Sequence, residues 1–72
     1  MKLGDIVERN IRARMGELKV SGSDIYHEAG YGSVQGFNSR IRNTDGMTIE
    51  DLERIARSLR ITPSELVSKE RK

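Results

Sequence analysis

Between Ser33 and Asn43 the chain reads SVQGFNSRIRN, and its polar side chains are of kinds that bond to heterocyclic bases. Wound at about 3.6 residues per turn, the stretch puts Val34, Phe37 and Ile41 on one face and Gln35, Ser39, Arg42 and Asn43 on the other. In a DNA major groove an amide pairs bidentately with adenine, a guanidinium pairs with guanine, and a hydroxyl serves either. The polar face has the chemistry of a base reader. The apolar stripe behind it requires a helical body to bury it.

That body is small. Seventy-two residues make one domain, 1–72, and a chain of this size buries only about 60% of the surface its unfolded form exposes. With no cysteine, disulfide and thiolate chemistry are excluded, and the single histidine, His27, cannot build a metal site alone. With no paired carboxylates on a credible cleft either, no catalytic group can be assigned, and neither an enzyme nor a cofactor is expected. No apolar run approaches the ~18 residues that span a bilayer, and MKLGDIVERN has no apolar core of a signal peptide. A soluble, cytoplasmic protein with no membrane partner is expected.

Charge is unevenly spread. Residues 1–44 hold seven basic and five acidic side chains, a net +2, whereas residues 45–72 hold six of each. Arg9, Arg12, Arg14 and Lys19 cluster near the end of the first helix, and Arg40 and Arg42 sit on the third. The excess permits a phosphate-facing surface built from Arg12, Arg14 and Lys19; an ordinary solvated face has the same composition.

Periodicity and caps divide the chain into helices at about 5–15, 21–30, 33–43, 48–59 and 63–68. Ile6, Val7, Ile11, Met15 and Leu18 give the first its stripe, with Gly16 as the stop. The second opens on the capping box Ser21-Gly22-Ser23-Asp24, faces Ile25 and Ala29 inward, points His27 to solvent, and ends at Gly30. Tyr31 and Gly32 turn the chain, and Ser33 caps the third helix. Gly36 inside that helix either lets the backbone approach DNA or the second helix, or is simply tolerated. Thr48-Ile49-Glu50-Asp51 is a second capping box, and Ile49, Leu52, Ile55, Ala56 and Leu59 form a stripe whose outer arginines, Arg54 and Arg57, suit Glu50 and Glu53. Ile61 is a buried link, Thr62-Pro63-Ser64-Glu65 opens a last short helix, and the tail SKERK is expected to fray. The fold class is all-α: a compact bundle of four to five short helices containing a helix-turn-helix.

The stretches TIEDLERIARSLRITPSEL (48–66) and NIRARMGELKVSGSDIYHEAG (10–30) resemble the phage repressor and Cro-like helix-turn-helix family, the xenobiotic-response-element class. The resemblance runs from about Val7 to Leu66. It implies a bundle whose third helix enters the major groove of double-stranded DNA, commonly as a homodimer on a palindromic operator. By position it implies Gln35, Asn38, Ser39 and Arg42 as base-reading residues, and Ser21, Ser33 and Asn43 near phosphates. The chain departs from the family in three places. Gly22 stands where a glutamine usually follows the second helix's cap, the turn AGYGS is one residue longer than the common form, and Arg60 stands where a glycine usually ends the fourth helix.

Two functions follow as expectations. The first is a sequence-specific DNA-binding transcriptional regulator, of the kind phage and bacterial repressors represent. The alternative is a protein-interaction module, antitoxin-like or anti-repressor, built on the same fold. A dimer of the DNA-reading kind has the last helix, with Leu66 and Val67, as its obvious surface.

Overall fold

The first helix owes its length to what it packs against. In the computed structural model, which describes residues 3–69, α1 runs Leu3–Leu18, and Ile6, Val7 and Ile11 are buried along one side of it. Gly16 does not stop it: a Cβ there would meet nothing within 4 Å, and an exposed glycine in a helix costs only about 1 kcal/mol relative to alanine. The helix ends three residues later, where Lys19 adopts φ 57°. The Val20 amide then reaches back to the Met15 carbonyl at 3.0 Å and the Lys19 amide to Gly16 at 3.2 Å, a Schellman closure without glycine.

α2 is Gly22–Ile25, much shorter than the expected 21–30. Ile25 and Ala29 are the buried apolar side chains in this region, and after one regular turn the backbone continues as looser turns. Gly30, at φ 91°, ends them as the sequence pattern requires, with the Tyr31 amide on the Tyr26 carbonyl at 3.0 Å.

α3 spans Val34–Arg42, and a single 3-10 turn, Thr44–Gly46, leads towards α4, Ile49–Ser58. Thr48 and Asp51 form the expected reciprocal box, with the Asp51 amide donating to Thr48 Oγ1 at 3.1 Å and the Thr48 amide to Asp51 Oδ2 at 3.0 Å. Ile49, expected in the buried stripe, is 75% exposed, because it is the first helical residue and its side chain projects beyond the packed turn. Arg54 pairs with Glu50, whereas Arg57 makes no ion pair with Glu53. α4 closes like α1, through Arg60 at φ 59° and a 3.0 Å bond from the Ile61 amide to the Ala56 carbonyl. Ile61 is half-buried rather than fully enclosed.

α5, Pro63–Leu66, inserts Leu66 into the middle of the bundle. The core is Val7, Ile11, Ile25, Ala29, Phe37, Ile41, Ile55, Ala56, Leu59 and Leu66. Phe37 of α3 is its largest member and wholly enclosed. Leu66 has no surface to offer a second protomer, and the large hydrophobic residue exposed beside it is Val67. The tail residues 70–72 lie outside the described residues. The described residues form an all-helical bundle of five α-helices and one 3-10 turn, with principal extents of 29 × 25 × 17 Å. Among the described residues no helix is long and apolar enough to cross a membrane.

Candidate nucleic-acid interface

α3 holds its polar face outward because Phe37 and Ile41 are locked inward. Ser33 fixes the start of the helix: its Oγ accepts the Gly36 amide at 3.1 Å, satisfying one of the amides that a helix N-terminus leaves unbonded. Gln35, Ser39 and Arg42 then fall at i, i+4 and i+7 on one exposed ridge. Their side chains have no hydrogen-bond or ion-pair partner among the described residues. A helix with side chains is about 10–12 Å across, which matches a major groove about 12 Å wide.

Asn38 is not on that ridge. It is half-buried at the edge of α3, against α2. A Cβ built on Gly22 would lie 2.8 Å from Asn38 Oδ1, 3.2 Å from Phe37 Cδ2 and 3.3 Å from Val34 Cγ2. Gly22, rather than Gly36, is therefore the glycine of close helix approach; a Cβ on Gly36 would meet only Ser33 Oγ, at an ordinary 3.4 Å. Asn43 lies on the exposed side where α3 ends, and its side chain is unbonded.

The cations and hydroxyls expected to face phosphate are differently placed. Arg14 turns inward: its Nε donates to the Leu59 carbonyl at 2.9 Å and its Nη1 to Glu17 at 3.3 Å. It thus bonds a carbonyl at the end of α4, where the helix dipole favours a cation. Arg12 is exposed but lies against Glu8 at 2.9 Å. Lys19 is exposed, with its ammonium in no ion pair among the described residues. Ser21 is turned upon its own cap: its amide donates to Asp24 Oδ2 at 2.7 Å and its Oγ to the same oxygen at 3.0 Å. Those two bonds lower the Asp24 pKa and place a fixed negative charge beside the hydroxyl. Ser33 Oγ is committed to Gly36, so the ridge of α3 and Asn43 keep the most available hydrogen-bonding capacity.

Searched against protein-family models, curated proteins and solved structures, the chain matches none.

Two features of this region have no counterpart in the sequence pattern. Tyr31, in the turn before α3, sets its ring edge-on to Phe37 at 5.7 Å between centroids and directs its hydroxyl to Asp51 Oδ1 at 3.4 Å. Burial and the neighbouring Asp51 charge raise the Tyr31 pKa, whereas the Thr48 amide holds the Asp51 carboxyl below its ordinary range. The turn is thereby tied to both α3 and α4. Beside it, Tyr31, Gly36, Ser39, Arg40 and Asn43 wall a shallow depression of about 300 Å3 on the flank of the ridge. Sequence reasoning counted Arg40 only as charge, because nothing local to α3 says that Tyr31 and the 3-10 turn lie beside it.

Proposed function

We propose that the chain is a sequence-specific, double-stranded-DNA-binding transcriptional regulator, a repressor of phage or bacterial type, with α3 as its major-groove reader. The observation that carries this reading is the ridge of Gln35, Ser39 and Arg42, whose amide, hydroxyl and guanidinium are exposed and unpartnered at helical spacing. Side chains of these types discriminate between base pairs by about 1–3 kcal/mol for each good bidentate contact. Asn38 reads at most the margin of the site, since it packs on Gly22. Lys19 and Asn43 supply backbone contacts with least rearrangement, whereas Arg12 must leave Glu8 to do so. The likeness to the Cro-like repressors supports the same assignment, with a palindromic operator and a homodimer as its natural target and state. The test is selection of bound sequences from a random duplex library at about 150 mM salt, which strips away much non-specific phosphate binding. An enriched palindrome establishes specific binding by a dimer, an enriched half-site establishes it for a monomer, and no enrichment sinks the reading.

A second reading, a protein-interaction module of the antitoxin or anti-repressor kind, draws on a different surface. Leu3 is 60% exposed and Val67 37%, and both line an apolar hollow with Val7, Met47 and Leu52. Capture of one stoichiometric protein partner, with no DNA retained at moderate salt, would favour it.

A further inference from the structure

We propose that the depression on the flank of α3 is a phosphate clamp, in which Arg40, with Asn43, holds one backbone phosphate of the duplex that the ridge reads. The inference rests on the DNA-reading function above and adds a residue and a ligand atom to it. When the ridge of Gln35, Ser39 and Arg42 lies in a groove, the two edges of α3 face the sugar–phosphate walls. One edge is closed: there Asn38 packs on Gly22, and Asp24 puts a carboxylate next to Ser21. The other edge is the hollow of Tyr31, Gly36, Ser39, Arg40 and Asn43.

Its chemistry suits a phosphodiester. Arg40 is half-buried and takes part in no ion pair within 4 Å among the described residues. Its guanidinium is seated by the backbone: Nη1 lies 3.5 Å from the Asn43 carbonyl and would be 3.2 Å from a Cβ on Gly46, so the glycine in the 3-10 turn leaves the room it occupies. A planar guanidinium presents five donors in a fixed fork that matches phosphate oxygens. The carboxylate that acts on it, Asp51, forms no ion pair with it within 4 Å and accepts the Thr48 amide at 3.0 Å and the Tyr31 hydroxyl at 3.4 Å, so the guanidinium's own donors remain available to an anion. The Asn43 carboxamide is a donor on the same wall with no hydrogen-bond partner among the described residues. Gly36 gives that wall no side chain, so an anionic oxygen can reach it.

The test uses the whole chain as wild type, Arg40→Gln and Arg40→Lys, binding a selected and a random duplex over a salt series. Loss of one phosphate contact should weaken Arg40→Gln about tenfold on both duplexes alike and make the log–log salt slope shallower by about one, whereas Arg40→Lys keeps the slope. Thermal melting checks that the variants are folded, and Asn43→Ala, away from the core, should weaken both duplexes in the same way. An unchanged slope and affinity in folded Arg40→Gln, with the wild type binding duplex, overturns the clamp and leaves the DNA reading intact. A wild type that binds no duplex but shows inorganic phosphate shifting the amides of Gly36, Ser39 and Asn43, lost in Arg40→Gln, overturns the duplex as source and retains the anion site. Neither duplex binding nor such shifts overturns both.

Discussion

The side-chain amide of Asn10 donates to the Leu66 carbonyl at 2.9 Å, across 56 positions of sequence. The same Nδ2 lies 2.9 Å from the Ser68 carbonyl and 3.3 Å from that of Glu65. Asn10 is 1% exposed on the buried side of α1, and what it binds is the carbonyl end of α5. A four-residue helix leaves all its last carbonyls without helical partners, and one buried carboxamide supplies them from another element. The first helix thereby holds the last one in place. Since Leu66 is a core residue, it holds part of the core as well.

Replacing Asn10 with leucine removes the donor and leaves buried carbonyls without it, a loss of about 1–3 kcal/mol. Asn10→Asp is worse, because a carboxylate would face the same carbonyls. Urea unfolding should show both, with a melting temperature lower by roughly 4–8 °C for each kcal/mol in a domain of this size. A leucine variant as stable as the wild type would refute the capping role.

Lys19 and Arg60 each hold a left-handed backbone, at φ 57° and 59°. That conformation costs an L-residue about 1–2 kcal/mol, and glycine adopts it freely at some entropic expense in the unfolded chain. Arg60→Gly should therefore stabilise the protein by about 0.5–1 kcal/mol, measured as a higher denaturant midpoint with unchanged slope. Lys19→Gly should do the same for α1. On DNA the two should part, since the proposed function gives Lys19 a phosphate and gives Arg60 none.

Gly22 predicts the opposite sign. A methyl there must displace Asn38 Oδ1, 2.8 Å away, and press on Phe37 Cδ2 at 3.2 Å. The asparagine can swing aside, but Phe37 sits in the middle of the core. Gly22→Ala should cost about 1–3 kcal/mol as overpacking does. Gly22→Gln, which adds a longer side chain at the same contact, should be no better tolerated. A neutral Gly22→Ala would mean that α2 and α3 separate more easily than their packing implies.

Acid should weaken the fold through Asp51. Its carboxyl is held below the ordinary range, chiefly by the Thr48 amide, so its folded pKa is depressed relative to the unfolded one. The stabilisation is present above the unfolded value of about 3.9 and is lost as pH falls through the folded one. Melting temperatures should drop below about pH 4, and Asp51→Asn should flatten part of that drop, leaving the share that Asp24 contributes in the same direction.

What could be read from the sequence depended on how far away the partner lies. Ser33 before Val34 and Thr48 before Ile49 announce helices because each cap closes on an amide three residues on. Phe37, Ile41, Ile55 and Leu59 announce the core by period alone. The length of α1 could not be read that way, since Gly16 is harmless only when nothing approaches it. Nor could the inward turn of Arg14, whose acceptor is Leu59, 45 positions on. Asn10 did carry a signal: a carboxamide between Val7 and Ile11 on a buried stripe must find a partner. The pattern of α1 alone does not say where. At the candidate site the ridge of Gln35, Ser39 and Arg42 was legible from period, whereas Asn38 against Gly22 and Arg40 beside Tyr31 depend on how α2 and the turns fold back.

The ridge itself yields the sharpest separation between reading and holding. Gln35→Ala or Arg42→Ala removes a bidentate group that is exposed and bonds to nothing among the described residues, so folding should be unaffected within about 0.5 kcal/mol, as for surface changes generally. Binding to the selected sequence should fall by about 1–3 kcal/mol, with tolerance appearing at the base pair that the lost side chain reads. Arg12→Ala, in contrast, removes a cation that must first break with Glu8, and any loss it brings should be equal on selected and random duplexes. Asn38→Ala should alter base preference less than Gln35→Ala, because Asn38 is packed on Gly22. Competition binding at fixed salt measures all four. Equal losses on both duplexes for Gln35→Ala and Arg42→Ala would remove those residues from base reading and reassign the ridge to the phosphate backbone.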